Sequence, residues 1–411
     1  MLAIKMLEKE NDQMALRTRK KTRTRQRKRL PVRLNAYQRG RIDGFQRGKE
    51  EGFLHGRTAA EHNSRNALTV IETNLPRIDA LVIGAGMIPS LEIGVLQPFS
   101  ALKKRENLKY DIKLEHEVSK EMIAAANTIV FVRNVEPSAY SLLELAHQLR
   151  KRTVYVIDDN FLEIQPTTSV GQYYCDPVRR ETFIKFLRNT KTIKVDSPDL
   201  GIYIQQRFNK NVIYFPGSVD FDWLDGQDRN LREKEQIVIG YAGGEKEEDF
   251  APVIPALNKI LDYYGGFVRL EFFGYLPPSL ADHPSVKYVG GGLEYKDFLK
   301  KLYKCNWDIG IAPLADNSFN KGKTNNKFRE YGACFIPGIY SKSPVYIPWV
   351  AQGESGYLVE HSEKGWYEGI KAMIEDPPMR HRIKENAGML ARQQFSLHTC
   401  VDSWKRFVLN T

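Results

Sequence analysis

Short apolar runs rich in β-branched residues recur along residues 77–315, and amphipathic stretches separate them. Runs of this kind predict buried β-strands, whereas apolar residues spaced three and four apart predict helices. The predicted strands are Ile78–Ile83, Thr128–Val132, Thr153–Ile157, Thr192–Val195, Val212–Phe215, Ile237–Ala242, Phe267–Phe273, Val286–Val289 and Ile309–Ala312. The predicted helices are Leu91–Leu102, Ala139–Lys151, Ala251–Tyr264 and Tyr295–Tyr303. This alternation predicts an α/β protein in which two Rossmann-like, doubly wound parallel-sheet domains face a cleft.

The pattern also predicts where the domains begin and end. We expect one Rossmann-like domain over residues 77–225 and a second over residues 226–390, joined by the polar stretch Asp225–Glu235. Residues 1–35 are predicted to form a basic disordered tail, and residues 36–76 a glycine-repeat helix and linker. A final helix is expected within residues 391–411.

Composition indicates an ordinary soluble protein. The 411 residues are 42% hydrophobic and 27% charged, and no run of about 18 apolar residues suggests a membrane span. We find no apolar segment of a secretory signal at the N-terminus. The four cysteines are far apart, which favours reduced thiols in a cytoplasmic protein and no metal site. They are Cys175, Cys305, Cys334 and Cys400.

The positive charge belongs to the tail rather than to the domains. Residues 1–57 contain 17 lysine and arginine residues and 6 acidic ones. The difference, +11, equals the net charge of the whole chain. The segment Arg17–Arg33 is a basic run that contains no acidic residue. Such a run fits nonspecific charge effects or an anionic membrane surface, which would make the protein peripheral at the inner membrane. Nucleic acid is disfavoured because no aromatic side chains are interleaved in the run.

A small residue stands at every fourth position from Ala36 to Ala60. The five of these positions from Gly40 to Gly56 are all glycine. Glycine costs a helix about 1 kcal/mol per site, so a strict repeat requires a reason. Small residues at this spacing open a groove in which a second helix backbone can approach closely. The repeat resembles the glycine-repeat helices of type III export stator proteins. It indicates either a helix for homo-oligomerisation or a glycine-rich linker.

The segment Phe319–Tyr331 contains the chemistry of most interest. Lys323, Lys327 and Glu330 are spaced four and seven apart, which predicts one stripe of a short helix. Asn320, Thr324 and Asn325 are residues of the type that caps a helix start. A helix start beside two lysines suits a diphosphate, and a carboxylate one turn later can accept hydrogen bonds from sugar hydroxyls. A nucleotide sugar has both groups. The alternative is a solvated helix with an incidental Lys–Glu pair.

This segment resembles the retaining GT-B glycosyltransferases of family four. It fits their pattern F-N-x-x-K-S/T-x-x-K-x-x-E-Y at every fixed position, and the likeness continues through the tail of the second domain. The matching positions are Phe319, Asn320, Lys323, Thr324, Lys327, Glu330, Tyr331, Pro337, Ser341, Gly353–Val359, Trp366, Ile370, Asp376, Arg380, Ile383 and Asn386–Ala387.

The resemblance implies transfer of a sugar from a nucleotide-diphosphate-sugar to a glycan or protein acceptor, with retention of configuration. It assigns a catalytic role to Lys323, Lys327 and Glu330, and donor binding to Asn320 and Thr324. It also implies that no metal or other cofactor is needed and that the last helix crosses back to the first domain. A catalytically inactive GT-B scaffold is the alternative.

Three further segments fit the cleft of such a protein. The turn Gly243–Gly244 with Lys246 is expected to face the donor phosphates, since glycine lets backbone N–H groups approach an anion closely. Asp158 and Asp159 follow a strand and are expected to contact the acceptor. The alternative interpretation is that this aspartate pair caps a helix.

Gly84 and Gly86 are also expected on the acceptor side. They lie in a G-x-G turn of the kind found in nicotinamide sites, but Pro89 occupies the third glycine position and disfavours that interpretation.

Two positions depart from the family pattern. Gly322 stands where the family has the first of two glutamates, which normally contacts the transferred sugar, so the sugar stays open, as do the nucleotide base and the acceptor. Phe335 replaces the usual glycine before Pro337.

Overall fold

A computed structural model describes residue 71 and residues 73–229 and 234–409. The basic run Arg17–Arg33 and the glycine repeat Gly40–Gly56 lie outside the described residues, so the predictions for both stay predictions. Within the part that is described, no helix is both long enough and apolar enough to cross a membrane.

The described chain contains two six-stranded sheets in which all neighbouring strands are parallel. The first has the order β2-β1-β3-β4-β5-β6, and the second has the order β12-β11-β10-β7-β8-β9. The strands are β1 Ile78–Gly84, β2 Tyr110–Leu114, β3 Ala126–Val132, β4 Arg152–Ile157, β5 Thr192–Val195, β6 Val212–Tyr214, β7 Ile237–Gly243, β8 Val268–Gly274, β9 Val286–Tyr288, β10 Ile309–Ala312, β11 Gly338–Ser341 and β12 Tyr357–Val359.

Helices connect the strands and cover both faces of each sheet, which confirms the predicted doubly wound α/β architecture. The α-helices are Pro89–Leu91, Gln97–Glu106, Lys120–Ala125, Pro137–Gln148, Ser169–Cys175, Pro177–Asn189, Pro198–Arg207, Phe221–Asp225, Glu247–Phe250, Val253–Tyr264, Tyr295–Cys305, Ser318–Lys321, Asn326–Ala333, Glu363–Glu375, Pro377–Phe395 and Leu397–Trp404. A π-helical turn, Glu92–Leu96, joins the first two, and a second, Lys405–Leu409, ends the described chain.

Strands β2, β11 and β12 are not among the strands predicted from the apolar runs. The five residues of β2 are all half-buried and alternate polar with apolar side chains at the edge of the first sheet. The central strands are buried along nearly their whole length and are therefore continuous apolar runs in the sequence. Strand β2 does not have that signal.

The core of the first sheet shows why consecutive residues of one strand are all apolar. In β1, Leu81 and Ile83 pack with one layer of helices, and Ala80 and Val82 pack with the other. All four are fully buried. Burial of both faces is the expected arrangement of a parallel sheet and makes it a rigid platform for the loops at its carboxyl edge.

The final helix belongs to the first sheet although it follows the second along the chain. Val219 exchanges backbone hydrogen bonds with the turn at Ser396, where the long helix Pro377–Phe395 ends. The next helix, Leu397–Trp404, then packs on the first sheet: Trp404 is fully buried and donates from Nε1 to the carbonyl of Gly94 at 2.9 Å. The two halves are thus tied together at the base of the cleft.

Candidate active site

The register of the first sheet brings charged residues together at its carboxyl edge. Val132 of β3 pairs with Gly84 of β1 and with Val156 of β4, so the residues that follow these three strands are neighbours. The strand order reverses between β1 and β3, and such a point leaves a crevice at the carboxyl ends of the strands. Arg133 and Asp158 both lie there.

Arg133 is the centre of this edge, and the sequence analysis did not weigh it. Its guanidinium binds Asp158 through two bonds of 2.5 Å and lies 3.9 Å from Asp159. It also stacks on the ring of Phe161 at 4.9 Å. Arg133 has a φ of 57°, a left-handed conformation that is uncommon outside glycine and that often marks a functional position. Its place directly after a parallel strand is the signal that could have revealed it.

Asp158 is committed to this arrangement. In addition to its bonds with Arg133, the Asp158 carboxylate accepts a hydrogen bond of 2.7 Å from Ser90 Oγ. Ser90 lies in the short helix Pro89–Leu91, which follows the loop containing Gly84 and Gly86. Burial acts to raise the pKa of Asp158, but the charge and bonds of Arg133 and the bond of Ser90 outweigh burial and lower it. Neither carboxylate caps a helix. Asp159, with about a fifth of its side chain exposed, is the one that faces the cleft.

The second half contributes a group of three ammonium groups. Its strand order reverses between β7 and β10. Gly243 is the last residue of β7, and Gly244 and Lys246 follow it. A Cβ built on Gly243 would lie 3.3 Å from Lys327 Cε, so the glycine turn and Lys327 are in direct contact. Lys246 Nζ lies 2.9 Å from Asp249. We call Lys246, Lys323 and Lys327 the lysine cluster.

The charges of the other two lysines of the cluster affect the pKa of Lys246. Burial lowers it most, Asp249 partly offsets burial, and the positive charges of Lys323 and Lys327 lower it further, to about 8. The three lysines therefore form a region in which ammonium groups lie close to one another, although each also has a carboxylate partner. Such a region attracts an anion.

The segment around the lysine cluster is two helices rather than one. Asn317 caps the helix Ser318–Lys321, and the next helix begins only at Asn326. The prediction that Lys323, Lys327 and Glu330 share one helix is therefore wrong, because Lys323 lies in the loop of residues 322–325. It still reaches the cluster, since its charge acts on Lys246.

The predicted cap residues have other roles. Asn320 is buried and donates from Nδ2 to Asp249 Oδ1 at 2.9 Å and to the carbonyl of Ala315 at 3.0 Å, so it fixes the loop. Thr324 is half-buried in the loop before the helix. Asn325 stands at the cap position of the helix Asn326–Ala333 but makes no side-chain cap bond. The first-turn N–H groups of that helix have no intrahelical partner and remain available to a ligand.

Glu330 lies on the next turn of the same helix, with only 5% of its side chain exposed. Lys327 Nζ donates to Glu330 Oε2 at 3.1 Å, and no other described residue bonds to this carboxylate. The second oxygen is thus free to accept hydrogen bonds. Tyr331 fixes the helix by donating to the carbonyl of Ile311 of β10 at 2.9 Å.

Gly322 lies at a close contact between the two halves. A Cβ at this position would be 3.0 Å from the Cβ of Asn160 in the first half. A glutamate here would push the loop away from residues 158–161. Close approach between the halves is thus a physical reason for glycine at this position.

Among the described residues, no group of three or more histidine, cysteine, aspartate or glutamate side chains could hold a metal ion. The four cysteines are free thiols. The prediction that no metal is required stays a prediction.

No protein-family model matches the sequence, and no similar protein was found among curated proteins. Solved structures are similar over most of the chain. HepE of Anabaena, determined in complex with UDP and glucose, has a TM-score of 0.60 at 13% identity, over 82% of this chain and 100% of that one. The fold is GT-B.

Two other structures give the same result. Sucrose-phosphate synthase of Thermosynechococcus elongatus has a TM-score of 0.59 at 13% identity, over 80% of this chain and 98% of that one. A mutant of TarM from S. aureus has a TM-score of 0.53 at 10% identity, over 70% of this chain and 56% of that one. HepE has also been determined with UDP-glucose. At these identities the similarity establishes the GT-B fold only, so the reaction has to be inferred from the residues of the site.

Proposed function

We propose that this GT-B protein is a retaining glycosyltransferase that moves a sugar from a nucleotide-diphosphate-sugar to an acceptor hydroxyl. The observation that carries the proposal is the lysine cluster beside the glycine turn, with the helix start at Asn326 and Glu330 one turn further. Solved structures of similar fold that contain UDP or UDP-glucose support it.

In this reaction the bond between the sugar and the diphosphate breaks while the acceptor oxygen bonds to the same sugar carbon. Negative charge builds on the departing diphosphate. Lys246, Lys323, Lys327 and the N–H groups at the helix start would stabilise that charge, which is electrostatic catalysis where charge develops. The free oxygen of Glu330 would hold hydroxyls of the ribose or the sugar. The acceptor hydroxyl attacks from the face that the diphosphate leaves, which gives retention, and its proton passes to the departing diphosphate oxygen.

The acceptor would lie against the first sheet, beside the loop of Gly84 and Gly86. Of the two predicted carboxylates there, Asp158 is occupied by Arg133 and Ser90. Asp159 would therefore be the one that orients the acceptor hydroxyl. We propose a cytoplasmic enzyme whose acceptor is a glycan or a protein.

Calorimetric titration with UDP, GDP, CDP and ADP tests the proposal. We expect the wild-type protein to bind one of them, and Lys327→Ala to weaken binding roughly 10- to 100-fold, because a hydrogen bond between charged groups is worth about 1.5–3 kcal/mol. Lys342→Ala is the matched control, since Lys342 is an exposed lysine paired with Glu360 at 2.7 Å. Circular dichroism must show that each variant is folded.

The same titration separates the enzyme from the inactive scaffold. An enzyme binds a nucleotide and releases free nucleoside diphosphate from a panel of nucleotide sugars. A wild-type protein that binds none of the four nucleotides contradicts our proposal and favours the scaffold. Donor turnover that is unchanged after EDTA treatment would support the absence of a metal requirement.

A further inference from the structure

One ion pair joins the two halves across the cleft. Lys323 Nζ, in the loop that follows the helix Ser318–Lys321, lies 3.7 Å from Asp159 Oδ2, which follows β4. The side chains are 20% and 21% exposed, so water screens this pair less than a surface pair. We call Lys323 and Asp159 the cross-cleft pair.

The surroundings hold both members in place. The ring of Phe319 lies 4.2 Å below Lys323 Nζ. Gly322, which packs closely on Asn160, brings the loop to the first half. On the other side, Arg133 stands 3.9 Å from Asp159 and is itself fixed by Asp158. The pair is therefore part of a packed contact between the halves.

Lys323 has two competing partners under the proposed function. It belongs to the lysine cluster that would hold the diphosphate, yet in this structure its ammonium group faces Asp159. A diphosphate carries more charge than one carboxylate and offers more acceptor oxygens, so it is the stronger partner. Binding of the donor must then break the cross-cleft pair or weaken it.

We propose that Asp159 is a positioning residue that holds Lys323 across the cleft and competes with the donor diphosphate for it. This inference rests on the proposed function, since it requires a diphosphate at the lysine cluster. Donor binding would withdraw Lys323 and leave the Asp159 carboxylate exposed toward the acceptor side. The acceptor hydroxyl would thus find its partner only after the donor has bound.

The test is a double-mutant cycle on nucleotide affinity. It compares the wild type, Asp159→Asn, Lys323→Met and the double variant, titrated with the nucleoside diphosphate that the wild type binds best among UDP, GDP, CDP and ADP. Asp159→Asn should bind roughly three- to tenfold more tightly, because a competing ion pair worth about 1 kcal/mol has been removed. Glu368→Gln is the matched control, since its pair with Lys364 has the same 3.7 Å separation but lies within one helix.

The Lys323→Met background separates competition from a general field effect. If Asp159 only repels the diphosphate through its charge, its replacement tightens binding by the same factor in both backgrounds. Competition requires Lys323, so we expect the gain to disappear in Lys323→Met. Asp159→Ser replaces Asp159→Asn if the latter does not fold.

The outcomes are distinct. Equal or weaker binding by Asp159→Asn, or an equal gain in both backgrounds, overturns the competition while leaving the proposed function intact. Failure of the wild type to bind any of the four nucleotides overturns the proposed function and this inference together. A gain confined to the background with Lys323 supports both.

Discussion

At the scale of the residue, Lys246 connects the charges of the donor side. It forms an ion pair with Asp249, whose other oxygen accepts bonds from Ala315 N and Asn320. Asp249 therefore organises the loops after β7 and β10 as well as holding the lysine. Each ammonium group of the lysine cluster has a carboxylate partner, since Lys327 also pairs with Glu330 and Lys323 with Asp159. An incoming diphosphate would therefore compete with these carboxylates for the lysines.

The lowered pKa of Lys246 predicts how nucleotide binding depends on pH. Its folded pKa of about 8 lies below the usual value of 10.5, so Lys246 is charged below pH 8 and loses its proton as the pH rises through that value. Affinity should then fall by roughly tenfold between pH 7.5 and 9.5, because a charge-assisted bond is lost. Calorimetry across this range measures the effect.

Lys246→Arg is the control for this dependence. Arginine stays charged to pH values above 12, so its affinity should be flat from pH 7.5 to 9.5. A wild-type profile without a change near pH 8, or a Lys246→Arg profile that falls in the same way, would contradict the assignment.

At the scale of the element, Phe335 follows the helix Asn326–Ala333 at a position where the family pattern has glycine. Phe335 has a φ of 54°, so this position does need the left-handed conformation that glycine adopts freely. The phenylalanine offsets the strain by packing. Its ring lies 5.1 Å from the guanidinium of Arg229 and 5.5 Å from that of Arg392, and a Cβ on Gly388 would lie 2.9 Å from it.

This contact predicts strong coupling between two substitutions. Gly388→Ala should destabilise the protein by about 1–3 kcal/mol, because the new methyl group collides with the Phe335 ring. In the Phe335→Gly background the same change should cost nothing or stabilise by up to about 1 kcal/mol, since alanine is the better helix former. Urea denaturation of the four proteins measures the coupling. Additive effects would show that the ring does not press on Gly388.

At the scale of the whole molecule, the last helix ties the second half back to the first. Trp404 packs edge-on against Phe99 at 5.0 Å and Phe215 at 5.5 Å. Arg152 at the start of β4 donates to the carbonyls of Val408 at 2.8 Å and Leu409 at 3.1 Å. The cleft is thus closed at its base by a segment that follows both domains along the chain.

Replacing Trp404 tests how much this segment stabilises the first sheet. Trp404→Ala should lower the free energy of unfolding by about 3–5 kcal/mol, as expected for a large buried aromatic. Trp404→Phe should cost about 1–3 kcal/mol, mainly because the carbonyl of Gly94 loses its donor. Urea denaturation gives both values, and hydrogen exchange should show weaker protection in β1 and β3. Unchanged protection there would mean that the helix is only loosely attached.

The sequence by itself determined the two sheets, because central parallel strands are buried on both faces and must be continuous apolar runs. It also indicated Lys327 and Glu330, since one helical turn separates them and their pairing is local. Strand β2 escaped because a half-buried edge strand has no such run. The break at residues 322–325 escaped as well, because close contact with Asn160 shapes that loop.

Only the tertiary structure decided which charges meet across the cleft. Arg133, Asp159 and Lys323 come from different strands and different halves, and nothing in their local sequence specifies a partner. Their distances depend on strand register and on the packing of one half against the other. Local patterns encode the elements because burial and helix geometry act over a few residues, whereas the charges of the site are assembled by contacts that the chain makes only when it is folded.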